Sequence, residues 1–414
     1  MKNIQDSSPA GANPKGKIFG LHPNIFFTGL TSLLNDVSSE MIFNLIPLYL
    51  ANVLLAPVAI VGLVGGVSEG ADAIFRMLSG WLSDKIGKRK VVTLSGYSIS
   101  TVAKPFLYLA ATWGGVLAVR FGDRLGKGVR NSSRDALIAD SISEKERGRA
   151  FGLHRAMDTT GAFLGLIITA LVVWFVLGAG TLDLTRRVFQ YLTLGCVIPG
   201  VLAVILLQIF VHDVKSKGAR PGSTRFPFSG VKKVFNTRFT IFLAILAVFN
   251  LGSMPANYFV ILRAQDLGAP LLQVLLMLIL FNAIYAVAAL PVGILSDKLG
   301  RRRVLALGWF IYALVYVGFA LSSTIWHVWL AFAWLGIYAA IVEGVSRAFV
   351  ADLAPAELRG TAYGVYYCVV GVCVLLSGVI GGVLWDVIGP ASTFYFGAAL
   401  AFIAMLGILV LVKE

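Results

Sequence analysis

Along most of the chain, apolar residues run on with few interruptions, and polar residues gather in short clusters between the runs. The runs predict helices over 24–52, 59–82, 90–110, 114–138, 149–175, 187–211, 239–263, 270–294, 303–323, 327–350, 361–385 and 390–411. Each approaches or exceeds the roughly 20 residues that an α-helix needs to cross a hydrocarbon core. The first is long enough to require tilt or a polar cap. Membrane-barrel strands would alternate in polarity rather than stay apolar, so that architecture is excluded. Inside the chain, only 212–237 is a long polar stretch containing Gly, Pro and Ser, and it reads as a linker. The expected organisation is a tail over 1–22, a six-helix bundle over 23–211, a linker over 212–238 and a second six-helix bundle over 239–414.

Composition supports this picture. Of 414 residues, 57% are hydrophobic and 14% are charged, with a mean hydropathy of +0.82. Soluble domains are about 45–50% apolar and about 25% charged. The chain therefore reads as an all-α integral membrane protein with twelve transmembrane helices.

The net charge of +14 could suggest nucleic acid, but its placement argues for an orientation signal. Lys85, Lys88, Arg89 and Lys90 fall in one turn, and Lys145, Arg147 and Arg149 in another. The central linker and the turn holding Lys298 and Arg301 to Arg303 continue the series, whereas the intervening loops hold only Arg186, Arg187 and Arg263. This positive-inside bias predicts that both termini are cytoplasmic, and the expected location is the cytoplasmic (inner) membrane, as a multi-pass protein. Residues 1–22 show no cleavable signal. Cys196, Cys368 and Cys373 lie in predicted spans without metal-site spacing. With no Walker loop, zinc motif or serine elbow, neither an enzyme nor a cofactor or metal site is expected. The central stretch is also too short for a nucleotide-binding domain.

The two halves repeat. GWLSDKIGKRKVV at 80–92 matches GILSDKLGRRRVL at 293–305, an offset of 213, and ALIADSISEKERGRAFG at 136–152 matches AFVADLAPAELRGTAYG at 348–364, an offset of 212. Parallel repeats of this kind are a known transporter design. The repeated Gly-x-Leu-Ser-Asp loops, with Gly80, Asp84, Gly87, Lys88 and Arg89 in one copy and Gly293, Asp297, Gly300, Arg301 and Arg302 in the other, resemble the A motif of the major facilitator superfamily of secondary transporters. The resemblance spans essentially the whole chain. It implies two pseudo-symmetric bundles around a central cavity, alternating access, a functional monomer and a cytoplasmic latch built from these ten residues. A basic loop with a turn would account for Lys and Arg but not for the repeated Asp and Gly. Arg120 and Gly126 resemble the family's B motif, with Asp123-Arg124 where a Gln-Gly pair is usual. Gly152, Gly161 and Gly165 have the spacing of the antiporter C motif, but Leu166 stands in place of its proline and Thr169-Ala170 in place of its closing glycines. These departures argue against a standard drug/proton antiporter.

A charge at mid-bilayer costs about 2.5–3.5 kcal/mol on insertion scales, so charges inside predicted spans are functional candidates. Asp36 and Glu40 share one face of the first helix, and Glu69, Asp72 and Arg76 share one face of the second. Lys104 precedes Pro105 in the third. Arg120, Arg124, Lys127 and Arg134 form a cationic stripe on the fourth, flanked by Asp123, Arg130 and Asp135. Charges near span ends, such as Arg130, Arg134, Asp135 and Asp140, could equally snorkel or brace the latch. His154 and Asp158 lie on the stripe of Gly161 and Gly165 in the fifth helix, beside Arg155. Histidine titrates near neutral pH and suits a proton relay, though a packing histidine bonded to Asp158 is an equal alternative.

The second half is emptier: Glu69 corresponds to Asn282, Arg76 to Ala289 and Asp36 to Phe249, and only Glu343 and Arg347 stand out. Aromatic residues, among them Phe43, Tyr49, Trp113, Phe281, Trp334 and Tyr338, read mainly as interface belts and packing.

The reading is a proton-coupled secondary transporter of a small organic anion or zwitterion. Glu69, Asp36, His154 and Asp158 are the proton-coupling candidates. Arg120, Arg124, Lys127, Glu40, Asp72, Arg76, Asn257, Tyr258, Asn282 and Tyr285 are the substrate-binding candidates. The excess of Arg and Lys expected in the cavity favours an anionic or zwitterionic substrate. Proton-driven efflux of amphipathic drugs or siderophore-like metabolites, or divalent metal export, are the alternatives. The expected partners are a small molecule, protons and the lipid bilayer, and no nucleic acid.

Overall fold

A computed structural model describes Ile18 and residues 21–86, 88–142, 146–214, 235–254, 256–354 and 359–412. Its helices are α1 (Pro23–Phe43), α2 (Ile46–Leu48), α3 (Val58–Ile86), α4 (Arg89–Ala103), α5 (Trp113–Asp140), α6 (Arg147–Leu177) and α7 (Arg186–Phe210). They continue with α8 (Thr237–Gly252), α9 (Ala256–Asp266), α10 (Leu271–Leu299), α11 (Arg301–Leu321), α12 (Ile325–Leu353), α13 (Arg359–Val387) and α14 (Pro390–Leu411). The described residues contain no β-strand, only an isolated bridge between Ile18 and Leu21.

Three predicted helices are interrupted. The first ends at Phe43, resumes over Ile46–Leu48 and passes into a π turn at Tyr49–Val53. Pro47 offers no N–H there to continue an α-helical ladder. The third ends at Ala103 and tightens into a 3₁₀ segment over Lys104–Tyr108 that contains Pro105. The seventh is split into α8 and α9. Elsewhere the helices overrun the apolar stretches, as α3 does to Ile86.

Among the described residues, nine helical stretches are long and apolar enough to cross a membrane. The segments absent from that set are informative: α1 is 21 residues long but holds Asn35, Asp36, Glu40 and several Ser and Thr, α4 has only 15 residues, and α5 is dense in charge. Phe175, Trp326 and Val287 are 79%, 78% and 77% exposed, and patches of this kind on a helical protein suit lipid rather than water.

In the first half, α1 packs on α6 and α7, and α5 packs on α3 and α4; in the second, α8 packs on α13 and α14, and α12 on α10 and α11. The repeat in sequence is thus a repeat in packing. Small residues permit the close approaches on which membrane helices rely in the absence of a hydrophobic drive. Gly161 abuts the backbone of Leu33, Gly165 that of Val37, and Gly96 and Gly126 bring α4 against α5. Of the C-motif-like glycines, Gly161 and Gly165 therefore form the α1–α6 seam, whereas Gly152 has open space around its Cα.

The start of α1 is fastened by Asn24, which is 1% exposed. Its Nδ2 donates to Ser141 Oγ (3.1 Å) and His212 O (2.9 Å), and its Oδ1 accepts from His212 N (3.1 Å). His22 caps the helix through Nδ1, which accepts from Asn24 N at 3.1 Å. Burial and, secondarily, His212 hold the His22 imidazole below its ordinary pKa. Asn24→Ala strands the His212 amide and carbonyl. It is expected to cost about 1–3 kcal/mol, read as a lowered melting temperature in detergent.

Candidate functional site: a charged cavity between the halves

A cavity of about 580 Å³ opens between the halves, lined from α1, α2, α3, α5, α9, α10, α12 and α13 and by Ser253 and Met254, which follow α8. One end is closed by the α3–α13 seam and by turn contacts: Leu271 N donates to Thr181 O (3.0 Å) and Gln265 Nε2 to Leu182 O (3.2 Å). The basic turns mark the opposite end.

The first-half wall carries nearly all the charge, and most of it is paired. Arg124 Nη2 donates to Glu69 Oε1 at 2.6 Å. Arg76 Nη2 donates to Asp72 Oδ2 at 2.7 Å, and its guanidinium lies 5.1 Å from the Tyr367 ring of the second half. Arg120, 1% exposed, stacks 4.1 Å over Phe43 and stands 3.7 Å from Asp123. Asp123 also accepts a short bond from Ser100. Arg130 Nη1 donates to Asn35 Oδ1 (3.1 Å), its Nη2 stands 3.8 Å from Asp36, and it stacks over Tyr97 at 4.7 Å. Glu40 Oε2 accepts from Asn44 at 2.6 Å. Lys127 faces the cavity with no hydrogen bond or ion pair to another described residue.

The expected excess of cations is therefore not what lines the cavity. Asp36, Glu40, Glu69, Asp72, Asp123 and Glu343 stand beside Arg76, Arg120, Arg124, Lys127 and Arg130. Carboxylates from α1 and α3 lie opposite the α5 stripe because α5 packs against α3, and desolvated charges are retained when paired. Arg130, 3% exposed, is a buried wall residue and does not snorkel. Behind the wall, Lys104 Nζ donates to Ser38 Oγ (2.8 Å) and Ser39 Oγ (3.0 Å).

The second-half wall is neutral and aromatic apart from Glu343. Asn257 and Tyr258 line it as expected, joined by Ser253, Phe281, Tyr338 and Tyr367. Phe43, Phe281 and Tyr338 are thus cavity residues rather than belt, and Tyr49 is buried on Phe189 with ring centroids 3.8 Å apart. Nothing in hydropathy separates an aromatic that lines a cavity from one that faces lipid, although Glu343 was visible as a charge inside a span.

Four candidates lie off this lining. His154 and Asp158 pair with each other (Nδ1–Oδ2 3.5 Å), and Asp158 stands 4.0 Å from Arg134. Asn282 Nδ2 donates to Leu278 O in its own helix at 2.9 Å. Tyr285 joins the halves: Arg155 Nη2 donates to its hydroxyl (2.6 Å), and the hydroxyl donates to Glu343 Oε2 (2.8 Å).

Of the expected latch, Gly87 and the side chains of Asp84 and Asp297 lie outside the described residues, and nothing is described around Gly80. Gly300 has φ +88°, a left-handed turn suited to glycine, whereas Gly293 is exposed in α10 with open space around its Cα and Lys88 is exposed. Three of the cations have a partner in their own half: Arg89 Nε stands 3.0 Å from Asp140, Arg301 Nη1 stands 3.1 Å from Asp352, and Arg302 Nη2 donates to Leu409 O (2.7 Å). Asp140 and Asp352 occupy matching positions of the second repeat motif, so each basic turn braces its own half.

The sequence profile described as Major Facilitator Superfamily matches residues 28–274 and 243–414. An uncharacterized MFS-type transporter of Methanocaldococcus jannaschii is 36% identical over 93% of this chain and 94% of its own length. A cis,cis-muconate transport protein of Acinetobacter baylyi is 24% identical over 74% of each chain. Among solved structures, a POT family transporter in complex with 5-aminolevulinic acid superposes with a TM-score of 0.81 at 14% identity, covering 96% of this chain and 97% of that one.

Proposed function

This chain belongs to the major facilitator superfamily, and from that premise we propose that it is a proton-coupled transporter of a small organic anion or zwitterion. Twelve spans, the interrupted first, third and seventh included, form six-helix bundles over 23–211 and 239–414, joined by a cytoplasmic linker over 212–238. They work as a monomer in the inner membrane. With both termini cytoplasmic, the closed end faces outward and the cavity faces the cytoplasm. The two bundles rock about the cavity, and the two basic turns with Asp84 and Asp297 close its cytoplasmic mouth in the opposite state.

The observation that carries this reading is the Arg124–Glu69 pair, held at 2.6 Å on the cavity wall beside the unpaired Lys127. A substrate carboxylate competes with Glu69 for the Arg124 fork, which is built for bidentate recognition. Protonation of Glu69 removes the competitor, so proton and anion load together. Asp36 and Glu40 are the second proton-accepting set, near Lys127. Arg120, Arg76 and Asp72 complete the polar wall, and Asn257 and Tyr258 meet the substrate from the neutral side. His154 and Asp158 lie behind the wall and reach protons only indirectly. The muconate relative, named for an organic anion, supports the substrate class. Each positive charge carried down about 100 mV releases about 2.3 kcal/mol, enough for severalfold accumulation.

The test is solid-supported-membrane electrophysiology on proteoliposomes with an inward-acid gradient, paired with a lumenal pH dye that also registers electroneutral cycles. Organic anions, zwitterions, lipophilic cations and divalent metals form the panel. Anion- or zwitterion-dependent proton entry is expected. Responses to lipophilic cations or metals alone would overturn the reading and recast Glu40, Glu69 and Asp72 as a cation site.

A further inference from the structure

The first turn of a helix leaves N–H groups without intrahelical acceptors, and a Ser, Thr, Asp or Asn just ahead of the helix commonly supplies one. Helix α3 has no such residue. The chain enters it through Leu54, Leu55, Ala56 and Pro57, whose side chains accept nothing. The acceptor comes from the other half. Val58 N donates to Asp386 Oδ1 at 3.0 Å and Ala59 N to Asp386 Oδ2 at 2.8 Å. Asp386 is the penultimate residue of α13, is exposed, and lies off the cavity lining. Its charge also sits at the positive end of the α3 dipole.

The same arrangement recurs across the pseudo-twofold. By the repeat offset of 213, Val58 corresponds to Leu271, the first residue of α10, and Leu271 N donates across the halves to Thr181 O at 3.0 Å. Gln265 Nε2 adds a bond to Asp183 Oδ1 at 3.2 Å. Each inter-half pair, α3 with α13 and α10 with the turn after α6, thus closes on a helix first turn. One closure uses a charged acceptor and the other a neutral one.

We propose that Asp386 is the releasable clasp of the closed end, a positioning residue of the transport cycle that holds the cavity toward the basic turns and lets go when it opens the other way. Its location makes release feasible. On separation the carboxylate and both amides regain water, whereas the glycine seam beneath loses packing that water does not replace. Because α3 has no capping side chain of its own, its first turn is capped only while that end is closed. Capping is thereby tied to the access state. At its other end α3 carries Asp84, one of the acids expected to fasten the basic end, so the two clasps sit at opposite ends of one helix.

Hydrogen–deuterium exchange of the full chain in nanodiscs, without substrate, tests the clasp. Loss of a capping interaction of ordinary strength shifts the open-to-closed ratio about tenfold. Asp386→Ala is expected to speed exchange by about that factor over 58–66. It should do the same over 178–185 and 265–271, which make no bond to Asp386 but close the same end. Asp386→Asn, which keeps the shape and a neutral acceptor, is expected to give a smaller change in the same segments and is decisive if the alanine variant does not fold. Faster exchange confined to the first-turn amides of α3 would overturn the clasp and leave a simple helix cap, as would unchanged exchange in the asparagine variant.

Discussion

Arg124→Ala is expected to abolish substrate-driven proton entry, and Glu69→Gln is expected to leave substrate exchange but remove its dependence on the proton gradient. The two effects differ because the partners differ in exposure: the Arg124 side chain is 11% exposed and that of Glu69 is 40%. Truncating Arg124 removes the fork that a carboxylate would occupy but leaves Glu69 enough water to remain in place. A lost charge-assisted contact of this kind costs about 2–5 kcal/mol, which at tenfold per 1.4 kcal/mol is at least about a 30-fold loss of flux. Arg124→Lys keeps the charge without the planar fork and should fall between the two. Glu69→Gln mimics the protonated acid, so Arg124 stays available while the proton has no seat there. Counterflow, which needs no gradient, should survive in Glu69→Gln, and gradient-driven accumulation should not. Accumulation that persisted would move the proton role to Asp36 or Glu40.

The second large effect is steric. Gly62→Leu is expected to stop the cycle with the closed end held apart. Gly62 and Gly378 face each other across the α3–α13 seam so closely that a Cβ on either overlaps the other's carbonyl oxygen. Further along, a Cβ on Gly66 would lie 2.8 Å from Leu375 O, and one on Gly70 2.9 Å from Gly371 O. Backbone atoms on both sides leave no flexible side chain to give way, and helices in lipid rely on this kind of approach. The variant should lose transport while binding substrate from the outer face, so calorimetric binding and proteoliposome flux separate. Retained transport in Gly62→Leu would mean that the seam need not close.

How much of this was legible in the sequence can be judged residue by residue. Asp36, Glu40, Glu69, Asp72, Arg76, Arg120, Arg124 and Lys127 stood out because a charge in an apolar run is conspicuous, and all of them line the cavity. Asn257 and Tyr258 joined them on weaker grounds. His154 and Asp158 carried the same signal but pair behind the wall, since the face of α6 that holds them follows α1 and Gly161 rather than the cavity. Tyr338 and Tyr367 carried no signal, because an aromatic ring suits a lipid-facing surface, a packed interior and a cavity equally. Asp386 was unremarkable at the end of an apolar stretch until the first turn of α3 was found bonded to it.

The sequence alone determined the membrane class, the duplication, the family and the concentration of charge in the first half. Each of those rests on local quantities: hydropathy over one span, a motif's spacing, the offset between two copies. Tertiary structure decided which cations are committed to carboxylates, that the cavity wall is nearly balanced rather than cationic, and that one end is closed by a glycine seam and a borrowed cap. Those depend on which helix faces meet and how closely. Helix periodicity assigns a residue to a face, but only the packing of small residues across the seams brings that face to a particular partner.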